Sequence, residues 1–245
     1  MKVKLNDPDL PRDNIFLLGP SGVGKTYMIS LLAKKAGLLF AETKLSGKSS
    51  EGYKGKNLSQ VFDYIKTKTK EEAPYGIVFL DEVDKLASSS NNDFFGSVLQ
   101  DEMIGWLEEE TIVLESDSKK DGKGLKGGSH LNTKNLLFVV AGAFQNNGSI
   151  ALLDIIRKRL SKGATRIGFG AGRTSVQDES CSLNDVTPED LIEYGLKPEF
   201  VGRIPVVATL DNLSLDNKIE ILRKAENSCL TKYHKLLVAR GFSLS

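Results

Sequence analysis

Eight residues near the start of the chain, "GPSGVGKT" (Gly19, Pro20, Ser21, Gly22, Val23, Gly24, Lys25 and Thr26), have the spacing GxxxxGK[ST]. They follow an apolar run, "NIFLLGP", and precede a segment of helical periodicity, "YMISLLAKKAG". A glycine-rich turn between a strand and a helix lets successive backbone N–H groups converge on one concavity, and the helix N-terminus adds positive potential there. That concavity suits the phosphates of ATP. Lys25 then reaches the β- and γ-phosphates, and the Thr26 hydroxyl is a ligand for Mg²⁺.

The stretch "GIVFLDEVD" (Gly76 to Asp84) carries the second half of the chemistry. Asp81 ends an apolar strand, which puts its carboxylate at the C-terminal edge of the sheet beside the phosphate loop. There it holds Mg²⁺ through water. Glu82 follows and can polarise a water for attack on the γ-phosphate. Two adjacent acids at a strand end are, taken alone, a solvated turn. Beside a phosphate loop they favour hydrolysis over phosphoryl transfer to another molecule, because a base for water is present.

The elements that must position these groups alternate along the chain. Strands are expected at "NIFLLGP", "GLLFAET", "GIVFLDEVD", "NLLFVVAGAF" and "IPVVATL". Helices are expected at "YMISLLAKKAG", "LSQVFDYIKTK", "SVLQDEMIGWLEEE" with Trp106 in the core, and "IALLDIIRKRL". Such alternation predicts an α/β fold with a mainly parallel sheet covered on both faces. Residues 116–132, rich in Lys, Gly and Ser, and residues 162–185, rich in Gly, Ser and Thr, read as loops, the first as a solvated hairpin tip. From Ser214 the pattern is helical. The expected division is a large αβ domain over 1–212 and the beginning of a helical domain over 213–245.

Composition narrows the class. The 245 residues carry a formal net charge of +1, which gives no general electrostatic case for nucleic acid or an anionic membrane. No apolar run approaches the roughly 20 residues of a membrane span. The opening "MKVKLNDPDLPRDN" has no apolar signal core, so an intracellular protein is expected. Cys181 and Cys229 are isolated, and neither His130 nor His234 stands near them at metal-ligand spacing. A reducing compartment and no structural zinc follow.

With these motifs go "LFVVAGAF", "IGFGA" (Ile167 to Ala171), "PEDLIEYGLKPEFVGRIPVVATL" (Pro188 to Leu210) and "LTKYHKLL". Their order resembles that of the ClpX family of hexameric AAA+ protein unfoldases, over about residues 14–237. The related HslU unfoldases share the general plan, but "IGF" favours ClpX. The resemblance implies an ATPase working as a homo-hexamer, with unfolded or tagged proteins as substrates. It implies a cytoplasmic location, or the mitochondrial matrix in a eukaryote. Arg203 in "EFVGR" would be an arginine finger reaching the ATP of a neighbouring subunit. Tyr53 in "GYKG" would grip a polypeptide in the central pore, with Lys54 where the family usually has a small apolar residue. Lys119, Lys120, Lys123, Lys126 and His130 would line the pore from a second loop. Ile167, Gly168 and Phe169 would dock into apolar clefts of a ClpP peptidase ring, which explains large apolar residues set among glycines.

Parts of the family pattern have no match in this sequence. These are the "VIGQ"-like adenine-pocket segment, the four-cysteine zinc domain and the "GAR"-like sensor arginine. Ala141 and Gly142 stand where many AAA+ proteins have a polar residue. A fragment of a longer protein and a divergent member with weakened ATP binding both fit. So two rivals stay open: an ATP-binding scaffold that does not turn over, and a phosphate-loop enzyme acting on a small molecule.

Overall fold

The computed structural model describes residues 13–45, 60–87, 94–114, 129–145, 151–163, 181–225 and 228–241. Among these lie seven strands: β1 (Ile15–Leu18), β2 (Leu39–Lys44), β3 (Gly76–Asp81), β4 (Thr111–Leu114), β5 (Ser129–Asn132), β6 (Leu136–Gly142) and β7 (Val206–Thr209). The helices are α1 (Lys25–Ala36), α2 (Gln60–Lys68), α3 (Phe94–Leu107), α4 (Leu152–Gly163), α5 (Pro188–Tyr194), α6 (Pro198–Gly202), α7 (Leu215–Lys224) and α8 (Cys229–Ala239). They fall into two compact units divided between Leu210 and Asp211.

The first unit is built on a five-stranded parallel sheet in the order β2-β3-β6-β1-β7. Its central strands, β1, β3 and β6, are apolar on both sides, as strands covered by helices must be. Alternate residues feed two cores. Phe16, Leu18, Val78, Leu80, Phe138 and Val140 face the larger one, which α2, α3, α4, α5 and α6 complete. Leu17, Ile77, Phe79, Val139 and Ala141 face the smaller one, closed by Ile29 and Ala33 of α1. Trp106 is buried in the larger core, edge-on to Phe62 at 4.8 Å. Its helix, α3, ends at Leu107, three residues short of the expected end. The chain then forms the antiparallel hairpin β4–β5, with Ile112 opposite Leu131.

The strand order fixes where a ligand can sit. The chain runs from central β1 out to edge strand β2, returns through β3 to β6, and crosses to the far side of β1 with β7. In an open parallel sheet a ligand binds at the carboxyl ends of the strands where the order reverses, and here that point is β1.

One ion pair on a buried carboxylate locks the helices behind the sheet. Asp190, 2% exposed at its side chain, accepts from Arg159 Nε at 2.9 Å and from the Thr187 N–H at 2.9 Å, tying α4 to the start of α5. Burial alone would raise its carboxyl pKa, but the Arg159 and Thr187 hydrogen bonds outweigh that and hold it below the ordinary value. The unfolded chain therefore binds this proton more readily, so the stability is present above the unfolded carboxyl pKa of about 3.9 and fades as pH falls through the lower folded value. Asp190→Asn should cost about 1.5–3 kcal/mol at pH 7, the usual range for hydrogen bonds to a charged group. Urea unfolding of both proteins should show the gap closing below about pH 3.9. A gap independent of pH would refute the ionic assignment.

The second unit holds α7 and α8. Ser214 and Ser228 cap them, accepting from the Asn217 and Thr231 N–H groups at 3.1 and 3.0 Å. No helix among the described residues is long and apolar enough to cross a membrane.

Candidate functional site

Strand β1 ends at Leu18, and seven residues later α1 begins at Lys25. The turn between them is pinned at its start. The Gly19 N–H donates to the Gly142 carbonyl at 3.2 Å, and a Cβ at Gly19 would stand 2.7 Å from the Leu210 carbonyl oxygen. Close packing of the residue that follows β7 thus requires glycine there. At the other end Gly24 adopts φ 92° and ψ 24°, left-handed backbone that a side chain disfavours. No side chain caps α1, and its first turn carries no acid. Its N-terminal N–H groups are therefore available to an anion.

Lys25 is buried. Its Nζ donates to the Gly19 carbonyl at 2.6 Å and the Pro20 carbonyl at 2.9 Å. Burial lowers the pKa of this ammonium, opposed by the charges of Asp81 and Asp84. Asp81, the last residue of β3, accepts the Glu82 N–H on Oδ1 at 2.9 Å. Glu82 departs from strand geometry at once, with φ 64° and ψ 36°. That left-handed step turns the chain into the 3-10 turn Val83–Leu86. Lys44 lies opposite Asp81 in the β2–β3 register, and its Nζ stands 3.8 Å from Glu82 Oε1.

These groups share one cavity of about 520 Å³. Lys25, Thr26, Asp81 and Glu82 line it, together with Tyr27, Lys44, Asp84, Lys85 and Gln145. Ser21, Gly22 and Gly24 of the loop border it too. The sequence motifs thus converge in space as their spacing implied. Lys44, Asp84 and Gln145 are additions that motif reading missed. Asp84 carried a signal, as the second acid of "DEVD"; Lys44 and Gln145 depend on strand register and on the end of β6. Behind Asp84, burial first and then its charge push the Tyr194 phenol up to about 12.

The oxygen donors suit Mg²⁺. Thr26 offers a hydroxyl and Asp81 a carboxylate in the same cavity, and this ion takes oxygen ligands, keeping several waters and using phosphate oxygens alongside one or two carboxylates.

Arg203 lies elsewhere. It follows α6 and precedes β7, and its carbonyl accepts from Asn14 Nδ2 at 3.1 Å. Asn14 stands just before β1, and Val206 pairs with Ile15. Arg203 is therefore at the amino edge of the sheet, and the phosphate loop at the carboxyl edge. Four residues of β1 separate them, roughly 13 Å of strand. The guanidinium is half exposed and pairs with Glu108. Tyr53 and Lys54, most of the lysine-rich loop, and Ile167, Gly168 and Phe169 lie outside the described residues.

Comparison with known proteins agrees with this architecture. A model of the ATPase family associated with various cellular activities (AAA) matches residues 15–162. The chain is 32% identical over 249 residues to the ATP-dependent Clp protease ATP-binding subunit ClpX 3 of Methylococcus capsulatus, covering 95% of this chain and 55% of that protein. It thus spans about half the length of the curated relative it matches.

Proposed function

The chain belongs to the AAA family of ATPases, and from that membership we propose that it is the large αβ part of a ClpX-type protein unfoldase. In this reading it hydrolyses ATP with Mg²⁺ at the interfaces of a homo-hexamer. Lys25 and the loop N–H groups bind the phosphates, Thr26 and Asp81 hold the metal, and Glu82 takes the proton of the attacking water. Thr26 and Asp81 would hold Mg²⁺, which would supply positive charge against the charge that develops on the phosphate oxygens. Arg203 of a neighbouring copy completes the site. Hydrolysis moves Tyr53 and Lys54 against an unfolded or tagged polypeptide, and Ile167, Gly168 and Phe169 dock on a ClpP-type peptidase. The setting is cytoplasmic.

The observation that carries the reading is a division of labour across the sheet. Lys25, Thr26, Asp81 and Glu82 line one cavity, while Arg203 occupies the opposite edge. A cation placed there serves a nucleotide held by another copy, not its own. Steady-state ATP hydrolysis over a range of protein concentrations tests this. Activity per chain should rise with concentration and vanish in EDTA. Activity per chain that is flat with concentration would overturn catalysis across an interface.

A further inference from the structure

One buried acid at the phosphate loop has no role in the mechanism above. Asp84, in the 3-10 turn Val83–Leu86, is 6% exposed and lines the same cavity as Lys25. Its Oδ1 is buried and accepts no hydrogen bond. Buried polar atoms without a partner are rare in folded proteins, because a lost water is not replaced. The surroundings are shaped to this oxygen. A Cβ at Gly142 would stand 2.9 Å from Asp84 Oδ1 and 2.6 Å from the Phe144 ring, so the end of β6 admits the carboxylate only as glycine.

Three cations line the cavity. Lys44 faces Glu82, and Lys85 is exposed. The buried one is Lys25, which interacts electrostatically with Asp84. Its ammonium has three N–H donors. Two are spent on the Gly19 and Pro20 carbonyls, which belong to the loop that must cradle the phosphate. To grip a phosphate the ammonium must exchange those carbonyls for phosphate oxygens, and it then needs a fixed acceptor behind it.

We propose that Asp84 is a positioning residue for Lys25: its open, buried Oδ1 is the acceptor the ammonium takes as it exchanges the Gly19 and Pro20 carbonyls for a bound phosphate. The fixed anion gives that movement one end point and holds the ammonium toward the β- and γ-phosphates. Gly142 keeps the space for the carboxylate open. The proposal rests on the nucleotide-site reading above and deepens it.

Asp84→Asn keeps the shape and removes the charge. Calorimetric titration with ADP in EDTA measures phosphate grip without metal. The expected result is a Kd raised about tenfold, a loss of about 1.4 kcal/mol, and larger than any fall in kcat at saturating ATP. The same titration should be run on Lys25→Met and on the double variant. Pairing in the nucleotide-bound state makes the double variant's loss of ADP affinity differ from the sum of the single losses. An unchanged ADP Kd in Asp84→Asn overturns the proposal. If kcat then falls, Oδ1 serves the reacting water instead. Losses of affinity that simply add also overturn it, because Asp84 then acts without Lys25. A parent protein that binds no ADP would refute the nucleotide reading, and the proposal with it; a parent that binds ADP beside an Asp84→Asn variant that binds it equally refutes the proposal alone.

Discussion

A Glu82→Gln variant should lose about 10²- to 10⁴-fold in ATP turnover while holding ATP as tightly as the parent, because it removes a general base and little else. The phosphates are gripped by the loop N–H groups and Lys25, none of which this change touches. Gln keeps the length and hydrogen-bonding reach of Glu but cannot accept the proton of an attacking water. The backbone adds weight to the assignment. Glu82 is held at φ 64°, a conformation that costs a side-chain-bearing residue of order 1–3 kcal/mol and that clusters at active sites. Its contact with Lys44 is no obstacle to catalysis, since the lysine is largely solvated and such pairs contribute at most about 1 kcal/mol. Phosphate release measures the first half of the expectation, and calorimetry with ATP the second. Turnover at the parent rate would remove Glu82 from the mechanism.

Arg203→Ala should lower kcat on the order of 10³-fold with nucleotide binding intact, the lower end of what an arginine finger supplies. The geometry makes a sharper demand than the single variant can test. Arg203 and the phosphate loop lie at opposite edges of one sheet, so each complete site would take Glu82 from one chain and Arg203 from the next. Neither inactive variant alone makes such a site. Mixed together, an Arg203→Ala chain with its Glu82 intact can face the Arg203 of a Glu82→Gln chain. The mixture should therefore regain activity that neither protein has. A mixture no more active than the sum of its parts would sink catalysis in trans. The Glu108 pair would not mask the effect, because it lies at the surface, where ion pairs are weak.

The phosphate loop and the Asp81–Glu82 pair were legible in the sequence because their demands are local. A glycine spacing encodes a backbone path, and an apolar run that stops at an acid encodes a strand end. The parallel sheet was legible for a related reason, since strands buried on both faces lose polar alternation. Long-range pairing was not. Nothing near Arg203 says that β7 lies beside β1, almost two hundred residues earlier, and this alone places the guanidinium away from its own loop. The Arg159–Asp190 pair joins residues 31 apart on two helices. The open oxygen of Asp84 becomes visible only with Gly142 packed over it. The Lys-, Gly- and Ser-rich stretch pointed to a hairpin tip but not to the strands β4 and β5, which at four residues are too short for periodicity to show.

The central position of β1 also sets a clock on the making of this protein. β1 is the first of the five sheet strands to be made, yet its neighbours, β6 and β7, are the last two. At ordinary elongation rates the ribosome delivers β7 roughly 10–40 s after β1. Until then the apolar strand that leads into the phosphate loop lacks at least one of its two partners, and the backbone that pins Gly19, at Gly142 and Leu210, does not exist in full. The nascent chain must keep that strand from sticking elsewhere for all of this time. A finished nucleotide cradle is thus a sign that translation has passed Leu210.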